Sequence, residues 1–230
     1  MTGLLDLPAF LAAIAATVVA YLAARWLHRR LGGAALLHPA LVACLALGVA
    51  LAALGIDHAS YFAAAWPLHA ALVPMTVLLA VPLFRQRDLI LKAFGPIAAV
   101  VALGGMAALL LSAAPAVLGG SPREIVLTLV AKSVTTAVAV GIAEQTGGIA
   151  ELAPAIVIAT GIVGACLGPP LCRALRVTDD RAIGLALGIA AHAIGTARAF
   201  QISQTAGAFA TLGLILNAIL TSAAIALALA

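Results

Sequence analysis

Charge is scarce in this chain. Asp, Glu, Lys and Arg make up 9% of its 230 residues, against about 25% in an ordinary soluble domain. Too few polar residues are present to clothe a water-facing surface, so a soluble globular enzyme is excluded. Aromatic residues are few, at 4%. Only three cysteines occur, Cys44, Cys166 and Cys172, each in apolar sequence. Their spacing fits neither a disulfide framework nor a metal site, and they read as small lipid- or core-facing residues. The histidines are scattered and form no metal cluster. No GxGxxG, P-loop, HExxH or GxSxG spacing occurs, and no nucleophile–base set is recognisable. The chain is therefore not expected to be an enzyme or to carry a cofactor or metal. A pair of intramembrane carboxylates, as expected of a Na⁺ or Ca²⁺ site, is also lacking.

What is present is apolar sequence. Hydrophobic residues make up 65% of the chain and the mean hydropathy is +1.22. Disordered chains are poor in such residues. The formal charge of +4 does not indicate nucleic acid. The twelve Lys and Arg residues stand in short groups between apolar stretches, as in membrane proteins, and form no face that could track a phosphate backbone.

A bilayer core takes about 20 apolar residues per helix. Runs of that kind occur at Leu7–Ala24, Leu31–Ile56, His58–Phe84, Ala93–Pro122, Leu152–Cys172 and Phe200–Ala230. No basic stretch precedes the first and no A-x-A site follows it, so it does not read as a signal peptide. Two further segments are apolar but carry charge: Ile125–Ala143 holds Lys132, and Ala182–Ala199 holds His192 and Arg198. The expectation is an all-α, polytopic membrane protein of about seven to eight segments in one domain, 1–230. Pro67, Pro74, Pro82 and His38-Pro39 interrupt runs, and Gly168-Pro169-Pro170 is expected to stop the sixth. Tyr61 and Trp66 read as interfacial aromatics. Pro74–Gly105 can be laid on Lys132–Val163 without gaps, which suggests a repeat with halves at about 31–122 and 123–230.

Basic loops at Arg25–Arg30, Arg85–Lys92 and Arg173–Arg181 read as cytoplasmic. Asp57-His58 and Glu144–Glu151 then read as external, as does the N-terminus with Asp6. The chain must leave the cytoplasm after Lys92 and return by Arg173. The fourth and sixth runs already accomplish that. The Lys132 segment is therefore expected to re-enter on one side, which non-helical backbone tolerates only where protein or water surrounds it.

Lysine at the middle of a membrane segment costs roughly 2.5–3.5 kcal/mol, so something must offset it. Ser133, Thr135 and Thr136 add hydroxyls. A helix starting here would add free N–H groups, and together these describe an anion cradle. The competing reading is a lysine that snorkels to the interface. In Ala191–Arg198, a continuous helix would set His192 and Thr196 on one face with Gly195 and Arg198 close by. Arg198 suits a carboxylate, and His192 could relay a proton or simply pack in the core. Glu144 reads as a rim charge, a gate or a proton acceptor, and Gly147-Gly148 as a tight turn. The residues point to passage or binding of a small organic anion.

The runs Lys132–Thr136, Glu144–Ile149, Gly161–Pro170 and Gly184–Arg198 resemble those of the LrgB/CidB family. Ala80–Gln86 matches a first-half motif of that family, and His38-Pro39 is similar to a family Asn-Pro. Ala137 departs from the pattern, where the family has proline. The resemblance implies a bacterial inner-membrane protein, often encoded with an LrgA/CidA-type membrane partner and long described as modulating murein hydrolase export and autolysis in a holin/antiholin scheme. It also implies kinship with the plastidic glycolate/glycerate transporter and with bacterial members tied to monocarboxylates such as pyruvate. The expected function is transport or facilitated passage of such anions, with Lys132, Ser133, Thr135, Thr136, His192, Gly195, Thr196 and Arg198 binding them and Glu144 or His192 coupling protons. Assembly with itself or with a partner is compatible with the sequence.

Overall fold

The computed structural model describes residues 7–32, 37, 39–71, 74 and 77–229. Asp6 and His38 lie outside them, so the readings placed on those two residues do too. Among the described residues there is no strand, and the regular elements are helical. The chain falls into two compact units, Met1–Leu78 and Leu79–Ala230.

The first unit holds α1 (Leu7–Arg30), α2 (Pro39–Ala53), α3 (His58–Ala64) and α4 (Trp66–Ala70). α1 ends in His28, Arg29 and Arg30, cations where the helix dipole favours them. The hydroxyls of Thr17 and Tyr61 hydrogen-bond at 2.6 Å and so fix α3 against α1; Tyr61 is half-buried. Trp66 is exposed. α2 and α3 meet at 117°. The Asp57 carboxylate at that bend accepts the Ser60 N–H at 2.9 Å, capping α3.

The second unit holds α5 (Ala80–Arg85), α6 (Arg87–Lys92), α7 (Phe94–Leu118), α8 (Arg123–Val130), α9 (Thr136–Thr146), α10 (Ala153–Ala174), α11 (Asp180–Ile202) and α12 (Gln204–Leu229). Across both units α1, α7, α10, α11 and α12 are long and apolar enough to cross a bilayer, and the bent α2–α3 pair makes a sixth candidate. The all-helical, polytopic membrane architecture expected from sequence is thus present, with five to six candidate spans among the described residues. Within the run His58–Phe84 the described helices include α3, α4 and α5. One expectation is corrected: Gly168-Pro169-Pro170 does not stop α10, and the helix continues through both prolines to Ala174. Proline removes an N–H and clashes with the preceding turn, yet membrane helices tolerate it where neighbours restore what is lost.

Two segments of this unit double back. At the first, the Ile149 N–H donates to Thr128 Oγ1 at 2.8 Å across 21 residues of sequence. A straight helix would hold those residues about 31 Å apart. α8, the turn 131–135 and α9 therefore form a hairpin. Gly147 closes it with φ of 82°, a left-handed C-cap that suits glycine.

The second reversal is inside α11. His192 has φ 41° and ψ −131°, so the helix breaks there. On its near side, Gly184 lies against the Ala206 carbonyl and Gly188 against that of Ala210. The order of these contacts makes residues 180–191 parallel to α12. Gly161, Gly164 and Gly168 of α10 meet His192, Ala191 and Leu187 in turn, so α10 runs antiparallel to the same stretch. Past the break, Gly195 sits on the Leu187 carbonyl, where a continuous helix would place it about 12 Å away. Ala199 joins Leu187, Ala206 and Ala210 in one buried cluster. Residues 193–202 thus run back beside 180–191, and α12 sets out again alongside. The absent side chains at Gly184 and Gly188 permit the close helix approach that membrane packing relies on.

Candidate functional site

The tips of the two hairpins meet at one residue of α12. Asn217 is fully buried. Its Nδ2 donates to the Ser133 carbonyl at 3.0 Å and to the Ile189 carbonyl at 3.4 Å. Ser133 lies in the turn of the first hairpin, and Ile189 lies one turn before the break of the second. A carbonyl close to a broken helix end loses its i+4 partner, and the amide supplies one. Asn217 Oδ1 has no hydrogen-bond partner, and it is the only such buried side-chain polar atom among the described residues. It lies against Gly105 of α7, where a Cβ would stand 2.5 Å from it.

The hairpins approach this point from opposite ends of α12. The first has its tip at Asn217, while Val138, Ile142, Gln145 and Thr146 of α9 line a cavity of 290 Å³ with Ser222, Ile225 and Ala226. Its base therefore lies toward the C-terminal end of α12. The second has its base at Asp180 and Ile202, beside the start of α12 at Gln204, and its tip at His192. Discontinuous helices meeting inside a bundle are how transporters place backbone dipoles at a binding site.

Lys132 is half-buried in the first tip. Its Nζ reaches Ser133 Oγ at 3.5 Å, at the limit of a hydrogen bond, and it has no carboxylate partner among the described residues. Thr135 takes an extended conformation (φ −71°, ψ 154°) just ahead of α9, and its side chain makes no cap bond. The helix break expected at the Ser/Thr cluster is present although Ala137 replaces the family proline. α9 thus begins at Thr136, four residues after Lys132, with its first N–H groups uncapped by the Thr135 side chain.

His192 is buried at 2% exposure, and its Nε2 donates to the Val157 carbonyl of α10 at 2.9 Å. This assigns the Nε2–H form to the neutral ring. Gly161 makes room for the ring: a Cβ there would stand 2.6 Å from Cε1. Thr196 Oγ1 donates to the His192 carbonyl at 2.9 Å. The expectation of His192 and Thr196 on one face of a continuous helix is thereby corrected, because the chain reverses at His192. Gly195 packs into that reversal against the Leu187 carbonyl, while Thr196 bonds back one turn within the returning limb.

Arg198 lies on the returning limb and donates to Gln201 Oε1 at 2.8 Å. Glu144 is exposed in the last turn of α9, about 12 Å along that helix from Thr136. The structure thus draws Lys132, Ser133 and His192 together, places Thr135 and Thr136 beside them, and leaves Glu144 apart. Of the cysteines, Cys166 is buried, Cys172 half-buried and Cys44 exposed. No His, Cys, Asp or Glu group that could hold a metal occurs among the described residues.

Comparison with known proteins supplies the ancestry. The model of the LrgB-like family matches residues 17–230. The chain belongs to the LrgB family. It is 32% identical over 206 residues to the holin-like protein CidB of Staphylococcus aureus strain N315, covering 90% of each chain. It is 31% identical over 187 residues to the holin-like protein CidB of Staphylococcus epidermidis strain ATCC 12228, covering 81% of this chain and 82% of the relative. The uncharacterized protein YwbG of Bacillus subtilis strain 168 is 31% identical over 205 residues. No solved structure matches.

Two features of this LrgB-family chain escaped the sequence reading. One is Asn217, the only asparagine in the chain; a lone amide in an apolar run was the available signal. The other is a second internal likeness. Lys132-Ser133-Val134-Thr135-Thr136-Ala137-Val138-Ala139 aligns without a gap on His192-Ala193-Ile194-Gly195-Thr196-Ala197-Arg198-Ala199. One residue out of step, Gln145-Thr146-Gly147-Gly148 then aligns on Gln204-Thr205-Ala206-Gly207. Each stretch begins at a hairpin tip, and each hairpin is followed by a long helix.

Proposed function

We propose that this LrgB-family protein is a carrier of small monocarboxylate anions in the bacterial inner membrane, with its N-terminus outside. The observation that supports the reading most is the meeting of two hairpin tips, entering from opposite ends, beside an unpaired lysine. Lys132 and the first N–H groups of α9, with Ser133, Thr135 and Thr136, hold the carboxylate. His192, Gly195 and Thr196 shape the opposite wall, and Arg198 adds positive potential behind it. Proton coupling falls to His192, whose Nδ1 stays free when Nε2 is bound to Val157, or to Glu144. The reading is tested by uptake of pyruvate and glycolate into proteoliposomes. Lys132→Met is expected to lower uptake at least tenfold, and equal uptake by both proteins removes Lys132 from the site.

A second reading has a specific observation in its favour: the matched staphylococcal relatives bear the name holin-like. On that reading the chain assembles, with itself or with an LrgA/CidA-type partner, to modulate murein hydrolase export and autolysis. The two readings part on flux. Saturable passage of one class of solute belongs to a carrier, and unsaturable leakage of unrelated solutes belongs to a holin-like pore.

A further inference from the structure

We propose that Asn217 is a latch that ties the two hairpin tips together, so that opening either hairpin breaks one of its two bonds. The purpose of the latch rests on the carrier reading; its existence does not.

The argument starts from cost. A buried carboxamide has two donors and an acceptor to satisfy, and an apolar helix has no need of it. Asn217 satisfies only its donor side. Nδ2 takes the Ser133 carbonyl in one tip and the Ile189 carbonyl in the other, two chain segments 56 residues apart that have no other reason to share a partner. Oδ1 is left buried and unpaired, which raises the energy of the closed arrangement. A latch of that kind holds without locking.

The pseudo-symmetry of the unit points the same way. The second tip also fastens to the long helix of the other repeat, through His192 Nε2 to the Val157 carbonyl. Each tip is therefore bound to the helix following the opposite hairpin, but only Asn217 reaches both. Gly105 completes the device: α7 approaches so closely there that a Cβ would stand 2.5 Å from Oδ1 and 2.8 Å from Leu220 Cδ2. A glycine at that place lets the amide keep its orientation.

The test reads how often the tips part. The full-length chain, with Cys44, Cys166 and Cys172 replaced by alanine, is reconstituted in lipid vesicles. It carries one reporter cysteine at a time, Val134→Cys or Ile189→Cys, both positions buried and both made smaller by the change. Alkylation by N-ethylmaleimide is followed by mass spectrometry. Asn217→Leu is expected to speed labelling at both reporters at least tenfold. Gly105→Ala, which leaves both tips and the amide in place but crowds Oδ1, is expected to speed both about threefold.

Should Asn217→Leu leave either reporter within twofold of its parent, the latch is refuted, even if the melting point falls, since a merely structural role lowers stability without freeing the tips. If Asn217→Leu does not give folded protein, Gly105→Ala decides alone, and rates within twofold of the parent refute the proposal. Absence of saturable pyruvate or glycolate uptake would remove the carrier reading and leave the labelling result standing.

Discussion

Replacing Gly188 by alanine probes the contact on which the second hairpin rests. A Cβ built at that residue overlaps the Ala210 carbonyl oxygen, and lies 2.8 Å from its carbon and 2.9 Å from the Ala210 Cα. All three atoms are backbone and cannot swing aside. Residues 180–191 and α12 must then separate by about an ångström or more to reach van der Waals distance. Overpacking of this sort costs roughly 1–3 kcal/mol, from which the better helix propensity of alanine subtracts about 0.8–1.0 kcal/mol. Gly141 in α9 is the matched control, because a Cβ there meets nothing within 4 Å. Gly141→Ala is expected to stabilise by about 0.5–1 kcal/mol. The two variants make the same chemical change in one unit, yet should differ by about 2 kcal/mol. For a chain of this length each kcal/mol moves the melting midpoint by roughly 2–4 °C. Thermal unfolding in one detergent should therefore place Gly188→Ala about 4–8 °C below Gly141→Ala. Equal midpoints would mean that the parallel packing inferred from Gly184 and Gly188 is wrong, and with it the reversal at His192.

Thr128→Val keeps the shape of the first hairpin but removes the acceptor for the Ile149 N–H; an orphaned N–H costs about 1–3 kcal/mol, so hydrogen exchange at Ile149 should speed at least fivefold, and unchanged protection would contradict the hairpin. Asp179 caps the N-terminus of α11 by accepting the Arg181 N–H at 2.8 Å. Its carboxyl is lowered from 3.8 to about 2, first by the hydrogen bonds from the Arg181 side chain and then by that from the Arg181 backbone. A carboxyl lowered in the folded state stabilises fully above its unfolded value and loses that stabilisation as pH falls through the folded one. Exchange protection in the first turn of α11 should therefore exceed that of Asp179→Ala at pH 5, by a few-fold for a cap of about 1 kcal/mol, and the gap should narrow as pH is lowered toward 2. A gap that does not shrink would assign the cap to something other than the ionised carboxylate.

The residues of the candidate site could be singled out in the sequence because burying charge is costly whatever the fold. Lys132 and the hydroxyls beside it stand out in an apolar run, and the count of crossings demanded by the basic loops pointed to a segment that turns back. The structure has that hairpin. The reversal at His192 was not legible, because the letters of 180–202 have helical character throughout and the break lies in the φ of a single residue. Non-glycine residues at positive φ are uncommon, and although histidine is among those enriched there, a lone histidine does not announce one. The role of Gly184 and Gly188 was hidden for a related reason. In a chain with 21 glycines, only the packing tells which ones a neighbouring backbone touches. Asn217 could have been found by the argument applied to Lys132, since a lone amide among apolar residues also has to be accounted for.

The likeness between the two hairpins bears on what each tip contributes. Lys132 and His192 occupy matching places in the aligned stretches, as do Thr136 and Thr196. Their surroundings differ. His192 is tied to the Val157 carbonyl and Thr196 to the His192 carbonyl, so the second tip spends its polar groups on holding its own shape. Lys132 has a single contact at 3.5 Å and the Thr135 side chain caps nothing, so the first tip keeps its polar groups free. A fully satisfied network rigidifies, while an unpaired, half-buried cation favours whatever negative group can reach it. On the carrier reading the two similar hairpins would divide the work: the first presents charge to a solute, the second supplies a wall, and Asn217 joins them.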